Sequence, residues 1–172
     1  MKILTAIGIG LMFLSIAVVL AFVLMGPERF WRVFGEPDLG PTSFEQLERR
    51  ASPNDALACP QDVCMASADI KAALYPVTAR ELRIAFTKVI ASEPRVTTVD
   101  ANETALTDRY IQRTERLGFP DTIVVQFFDR SGNQSTLAIY SRSQFGESDL
   151  GANLARIERW LSKLAEQIEP AE

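Results

Sequence analysis

Side chains able to do chemistry are concentrated in one stretch of this sequence, Ser141-Arg142-Ser143-Gln144-Phe145-Gly146-Glu147-Ser148-Asp149-Leu150-Gly151, followed by Asn153 and Arg156. Asp149, Asn153 and Arg156 stand at spacings of four and three, so on a helix they share one face. Arg142 falls at the end of a strand-like run. Serine hydroxyls, an arginine fork and the unpaired N–H groups of a helix start all prefer phosphate or carboxylate. Ser141, Arg142, Ser143, Ser148, Asp149, Asn153 and Arg156 are therefore the candidate binding residues for an anionic group or a partner. The competing reading is structural. In it Ser148 or Asp149 caps the helix, Asp149 pairs with Arg142 or Arg156, and Asn153 bonds a backbone carbonyl.

Catalysis is less well supplied. The chain has no histidine, which removes the commonest general base near neutral pH and most transition-metal sites. Ser143 or Ser148 with Asp149 and an arginine could serve acid or phosphoryl chemistry, but no complete set of nucleophile, base and orienting group is visible. Paired carboxylates such as Asp100 and Asp108 are expected on solvated surfaces. No catalytic residue, metal site or cofactor is assigned. With 18 basic against 22 acidic residues there is no basic field for a nucleic-acid backbone, so nucleic acid is not an expected partner.

The elements that position this stretch begin with a membrane segment. From Ile3 to Met25 there is no charge, and the run is long enough to cross a hydrocarbon core of about 30 Å. The rival is a cleaved signal peptide, whose apolar core is only about 7–15 residues and ends near a small-residue site. Here the exit is Leu24-Met25-Gly26-Pro27, which favours a retained anchor in lipid through residues 3–25. Phe30, Trp31 and Phe34, interleaved with Arg29 and Arg32, suit the headgroup level. Lys2 and the amino terminus on one side oppose Arg29 and Arg32 on the other, so charge does not set orientation. Cys59 and Cys64 are the only cysteines. With nothing to complete a zinc site, a local disulfide and an oxidising compartment are the sharper reading; two reduced, half-buried thiols are the alternative.

Breakers at Gly26, Pro27, Gly35, Pro37, Gly40, Pro41 and Pro53 mark an irregular segment. Ser43 and Gln46 make a capping-box pattern for a brief helix ending in Arg49 and Arg50. An amphipathic helix is predicted over residues 78–92, and strands over 95–99, 104–114, 121–128 and 134–141, the last two joined as a hairpin through Ser131-Gly132-Asn133. Leu150, Leu154, Ile157, Leu161, Leu164 and Ile168 form the stripe of a closing helix to be buried on the sheet. The expected fold is α+β: a transmembrane helix, then a four-stranded, mainly antiparallel sheet flanked by an N-terminal and a long C-terminal amphipathic helix. The expected divisions are 1–26 anchor, 27–58 juxtamembrane segment and 59–172 α+β domain.

The run from Pro53 through Cys59-Pro60, Cys64, the Gln112-Arg113 pair, Phe119-Pro120-Asp121, and the polar and apolar pattern from Ser141 to Leu161 carry a resemblance. Over roughly residues 50–165 the chain resembles the bacterial family catalogued as domain of unknown function 1499. That resemblance implies no activity, cofactor or catalytic residue. Other members look like membrane-associated or envelope proteins, which implies a bacterial inner-membrane, single-pass protein with its C-terminal domain in the periplasm. The expected role is a binding or accessory domain for an unidentified envelope ligand or protein. The alternatives are an envelope hydrolase or transferase acting on an anionic substrate, and a purely structural module.

Overall fold

The structure is a computed structural model and describes residues 2–171. The amino terminus and the Lys2 side chain invoked above for orientation lie outside what is described, as does Glu172. Helix α1 spans Lys2–Arg32 and is broken at Gly26, where φ 76° and ψ 156° leave the helical region and Pro27 starts a new turn. It is long and apolar enough to cross a membrane, a property that signal sequences share.

Strands β1 (Asp55–Cys59) and β2 (Ile70–Lys71) precede α2 (Ala79–Ala91); β3 (Val96–Asn102), β4 (Thr107–Arg113), β5 (Pro120–Arg130), β6 (Gln134–Ser143) and α3 (Ala152–Ala165) follow. The α+β class is as expected, but the sheet has six strands in the order β2-β1-β6-β5-β4-β3 and is mixed, β1 and β2 being parallel. The four-strand expectation missed β1 because it is short, lies between Pro53 and Pro60, and is buried along nearly its whole length. A strand covered on both faces shows no alternation. Strand β2 has two residues and no periodicity to detect.

Alternation along the strands separates two apolar layers. One face presents Ile123, Val125, Leu137 and Ile139 to Leu82, Phe86 and Val89 of α2 and to Ile157, Trp160 and Leu164 of α3. The other presents Leu57, Val124, Ala138 and Tyr140 to Phe44 and Leu47. Helix α2 begins with a full capping box between Thr78 and Glu81.

Three local expectations are corrected. Residues around Ser43 to Gln46 form a bend and turn rather than a helix. Phe44 and Leu47 are pinned under the sheet, and Arg49 is held by the Asp55 carboxylate at 2.7 Å, so too short a segment remains to nucleate a helix. Leu150 is 95% exposed and precedes α3; the buried face of α3 runs through Asn153, Arg156, Ile157, Trp160 and Leu164 instead of the leucine stripe alone. Asp108 is not a surface carboxylate: it is buried, hydrogen-bonded by Arg83 at 2.7 Å.

Candidate functional site

Strand alternation decides which of the sequence-selected residues meet. Ser141 and Ser143 point from β6 toward α3, and Arg142 between them points through the opposite face. Ser141, Ser143, Asn153 and Arg156 come together as buried groups. The Arg156 guanidinium donates from Nε to Gln112 Oε1 (2.5 Å), from Nη1 to Ser141 Oγ (2.7 Å) and Asn153 Oδ1, and from Nη2 to Asp121 Oδ2 (2.5 Å). Asn153 in turn donates to the Asn54 carbonyl (3.1 Å) and to Ser143 Oγ (3.0 Å), while Ser141 Oγ donates to Asn153 Oδ1 (2.6 Å). The network ties α3 to β4, β5 and β6 and to Asn54, the residue just before β1. Its cation is matched by the buried Asp121 carboxylate, so the charge of Arg156 is spent internally.

Asp149 pairs with neither Arg142 nor Arg156. Its carboxylate accepts the N–H groups of Gly151 (3.1 Å) and Asn153 (2.7 Å). The N-cap position itself is Gly151, at φ 81°, so the capping acceptor reaches in from two residues upstream. Ser148 Oγ accepts the Leu150 N–H. Arg142 lies across the sheet, donating to the carbonyls of Leu39 (2.9 Å) and Gly40 (2.8 Å) above the Tyr140 ring. Burial pushes its pKa below the usual arginine value. Leu39 N–H in turn bonds Thr122 Oγ1, and Arg109 pairs with Asp38, so residues 37–40 form a strap across this face.

Ser143, Ser148 and Asp149 share a cleft of about 290 Å³ with Thr114, Phe119, Asp121, Phe145 and Leu150. It lies between the β4–β5 and β6–α3 loops. Aromatic and aliphatic walls enclose a polar floor, which suits a ligand that is part apolar and part hydrogen-bonding. The end of α1 closes against the same two loops. The Trp31 ring stands 4.3 Å from Phe119 and 5.3 Å from Phe145, and its Nε1 donates to the Leu117 carbonyl at 2.6 Å. A Cβ on Gly118 would approach Pro27 Cβ to 2.7 Å, so only glycine, here at φ +66°, allows this fit.

Residues 41–164 match the family described as "Protein of unknown function (DUF1499)". The chain belongs to that family. The match takes in every strand, α2 and all of the network and cleft except the α1 residues. No curated protein matches the chain.

The sequence reading missed Asp121, Gln112 and Asn54 as partners of Arg156 and Asn153. Gln112 and Asp121 stand within stretches that carried the family resemblance, but nothing in their local spacing links them to α3. It also missed Phe119 and Phe145 as cleft walls. Cys59 and Cys64 are joined by a disulfide. Among the described residues no cluster of three or more His, Cys, Asp or Glu could hold a metal.

Proposed function

We propose that this family member is a single-pass, membrane-anchored accessory domain of the bacterial envelope that binds an envelope ligand or protein partner in the cleft between the β4–β5 and β6–α3 loops. The observation that carries the reading is the packing of Trp31 on Phe119 and Phe145, which fixes the mouth of the cleft beside the exit of the apolar helix. The disulfide supports a periplasmic domain, because such bonds persist in oxidising compartments. A binding role is favoured over catalysis because Ser148 and Asp149 are committed to backbone N–H groups and Arg156 to Asp121.

The test is thermal unfolding of the full chain in lipid nanodiscs, with phospholipid headgroups, inorganic phosphates and peptidoglycan fragments added in turn. A ligand at 100 times its Kd stabilises by about 2.7 kcal/mol. That stabilisation should vanish in Ser148→Trp, which fills the cleft. No stabilisation by any member of the panel would rule out the small-molecule form of the proposal.

A further inference from the structure

We infer that the loop tips at this end of the domain are a second membrane contact, with Leu117 and Leu150 seated in the headgroup layer of the bilayer that α1 enters. The inference shares with the proposed function only the insertion of α1, and it holds whatever the cleft binds.

Depth comes from the kink at Gly26. It folds the last turn of α1 back so that the Phe22 ring lies 5.2 Å from Phe30 and 6.4 Å from Trp31. Phe22 is three residues before the end of the apolar run, about 4.5 Å along the helix axis. Trp31 is thereby held near the boundary of the hydrocarbon, where tryptophan is enriched. Its contacts with Phe119 and Phe145 bring the β4–β5 and β6–α3 loops to the same level.

Each of those loops carries an apolar tip, half exposed in one and almost fully exposed in the other. Leu117 is 48% exposed and Leu150 is 95% exposed. Leu150 has φ 54°, a left-handed conformation disfavoured for a leucine, and its side chain is turned out instead of joining the core. Arg116 beside Leu117 and Arg29 on α1 are exposed cations suited to lipid phosphates, while Arg32 is paired with Glu28 and the exposed carboxylates Glu115 and Glu147 stand near the same two tips in sequence. The opposite end of the sheet is mixed in character. The hairpin tip there is Ser131-Gly132-Asn133, polar throughout and about 33 Å away along the eleven residues of β5. Met65, 90% exposed in the disulfide loop that Asp62 ties to Arg130, is an exposed apolar side chain at that far end too, so the side that meets lipid is set by the position of α1 together with the two leucine tips and not by tip polarity alone.

The experiment uses the full chain with its disulfide closed, carrying singly Leu14→Cys, Leu117→Cys, Leu150→Cys or Ser131→Cys labelled with an environment-sensitive fluorophore. Each is reconstituted in phosphatidylethanolamine and phosphatidylglycerol vesicles with or without nitroxide-bearing lipid. Quenching is expected at positions 14, 117 and 150, the last two exceeding position 131 by roughly twofold or more. Quenching at 14 with 117 and 150 equal to 131 overturns the inference and leaves the anchor standing. Absence of quenching at position 14 overturns both. A blue shift at 150 that grows with protein density but is insensitive to nitroxide lipid assigns the tips to a second copy of the chain, and also overturns it.

Discussion

Replacing Arg156 by methionine removes one guanidinium and leaves a carboxylate stranded in the interior. The side chains of Arg156 and Asp121 are 6% and 2% exposed, and their closest N···O distance is 2.5 Å. Breaking a buried pair from one side costs about 3–5 kcal/mol, because the remaining charge keeps its desolvation penalty without its partner. Gln112 Oε1 also loses its donor, whereas Ser141 and Asn153 keep their mutual bond. The expected cost is therefore near the middle of that range, about 4 kcal/mol, or a fall in Tm of roughly 8–16 °C for a domain of this size. Urea unfolding of the full chain in nanodiscs would measure it, followed by Trp160 fluorescence in a Trp31→Phe background, since the chain has two tryptophans. Adding Asp121→Leu to Arg156→Met should recover most of the loss, because an apolar pair of similar volume no longer carries a buried charge. A cost below about 1 kcal/mol for Arg156→Met, or no recovery in the double variant, would refute the view that the Arg156 network serves to match a buried charge.

Glu93 gives a pH signature. Burial opposes its ionisation, but hydrogen bonds from Arg159 and Lys163 outweigh it and hold its pKa down at about 2. A depressed carboxylate stabilises fully above its unfolded pKa, about 4.3, and this contribution is lost as pH falls from there through about 2. Because Arg159 and Lys163 are 45% and 36% exposed, the contribution is about 1–2 kcal/mol after allowance for screening. The stability gap between wild type and Glu93→Gln, measured from pH 6 to pH 2, should close at the acidic end; a constant gap would contradict the assignment. Asp149→Ala, which leaves two N–H groups at the start of α3 without their acceptor, should cost about 0.5–2 kcal/mol in denaturant unfolding. Paired Cys59→Ser and Cys64→Ser substitutions should cost about 2 kcal/mol, the chain-entropy value for closing so short a loop; an unchanged urea midpoint would show that the bridge does not constrain the unfolded chain.

What the sequence made legible was set by periodicity. The helical spacing over residues 78–92 and the turn chemistry of Ser131-Gly132-Asn133 between two strand-like runs are local signals, and the structure carries both as read. Strand β1 has no such signal, since burial on both faces erases alternation. The helical spacing of Asp149, Asn153 and Arg156 correctly put Asn153 and Arg156 on one face, yet it could not show that this face turns inward. That depends on Asp121 and Gln112, which β4 and β5 bring from more than thirty positions away. Arg142 was grouped with its neighbours by sequence adjacency, although adjacent residues on a strand point to opposite sides. The left-handed turn at Leu150 and Gly151 interrupts the leucine stripe, and no propensity argument marks a leucine for φ > 0.

The position of β6 dictates when this domain can form during synthesis. Strand β6 is the inner neighbour of both β1 and β5, and Asn54 meets Asn153 across 99 positions of chain. Until β6 and α3 have left the ribosome, β1 has no antiparallel partner, and the apolar run of β5 is paired only with β4 and lacks half its helical cover. The disulfide loop, spanning five positions, can close long before that. Assembly is consequently late and collective, with the slow closure expected of non-local pairing. A chain stopped before Gln134 should yield no smaller folded unit, but a partial β3-β4-β5 sheet whose apolar β5 edge is open and prone to aggregation.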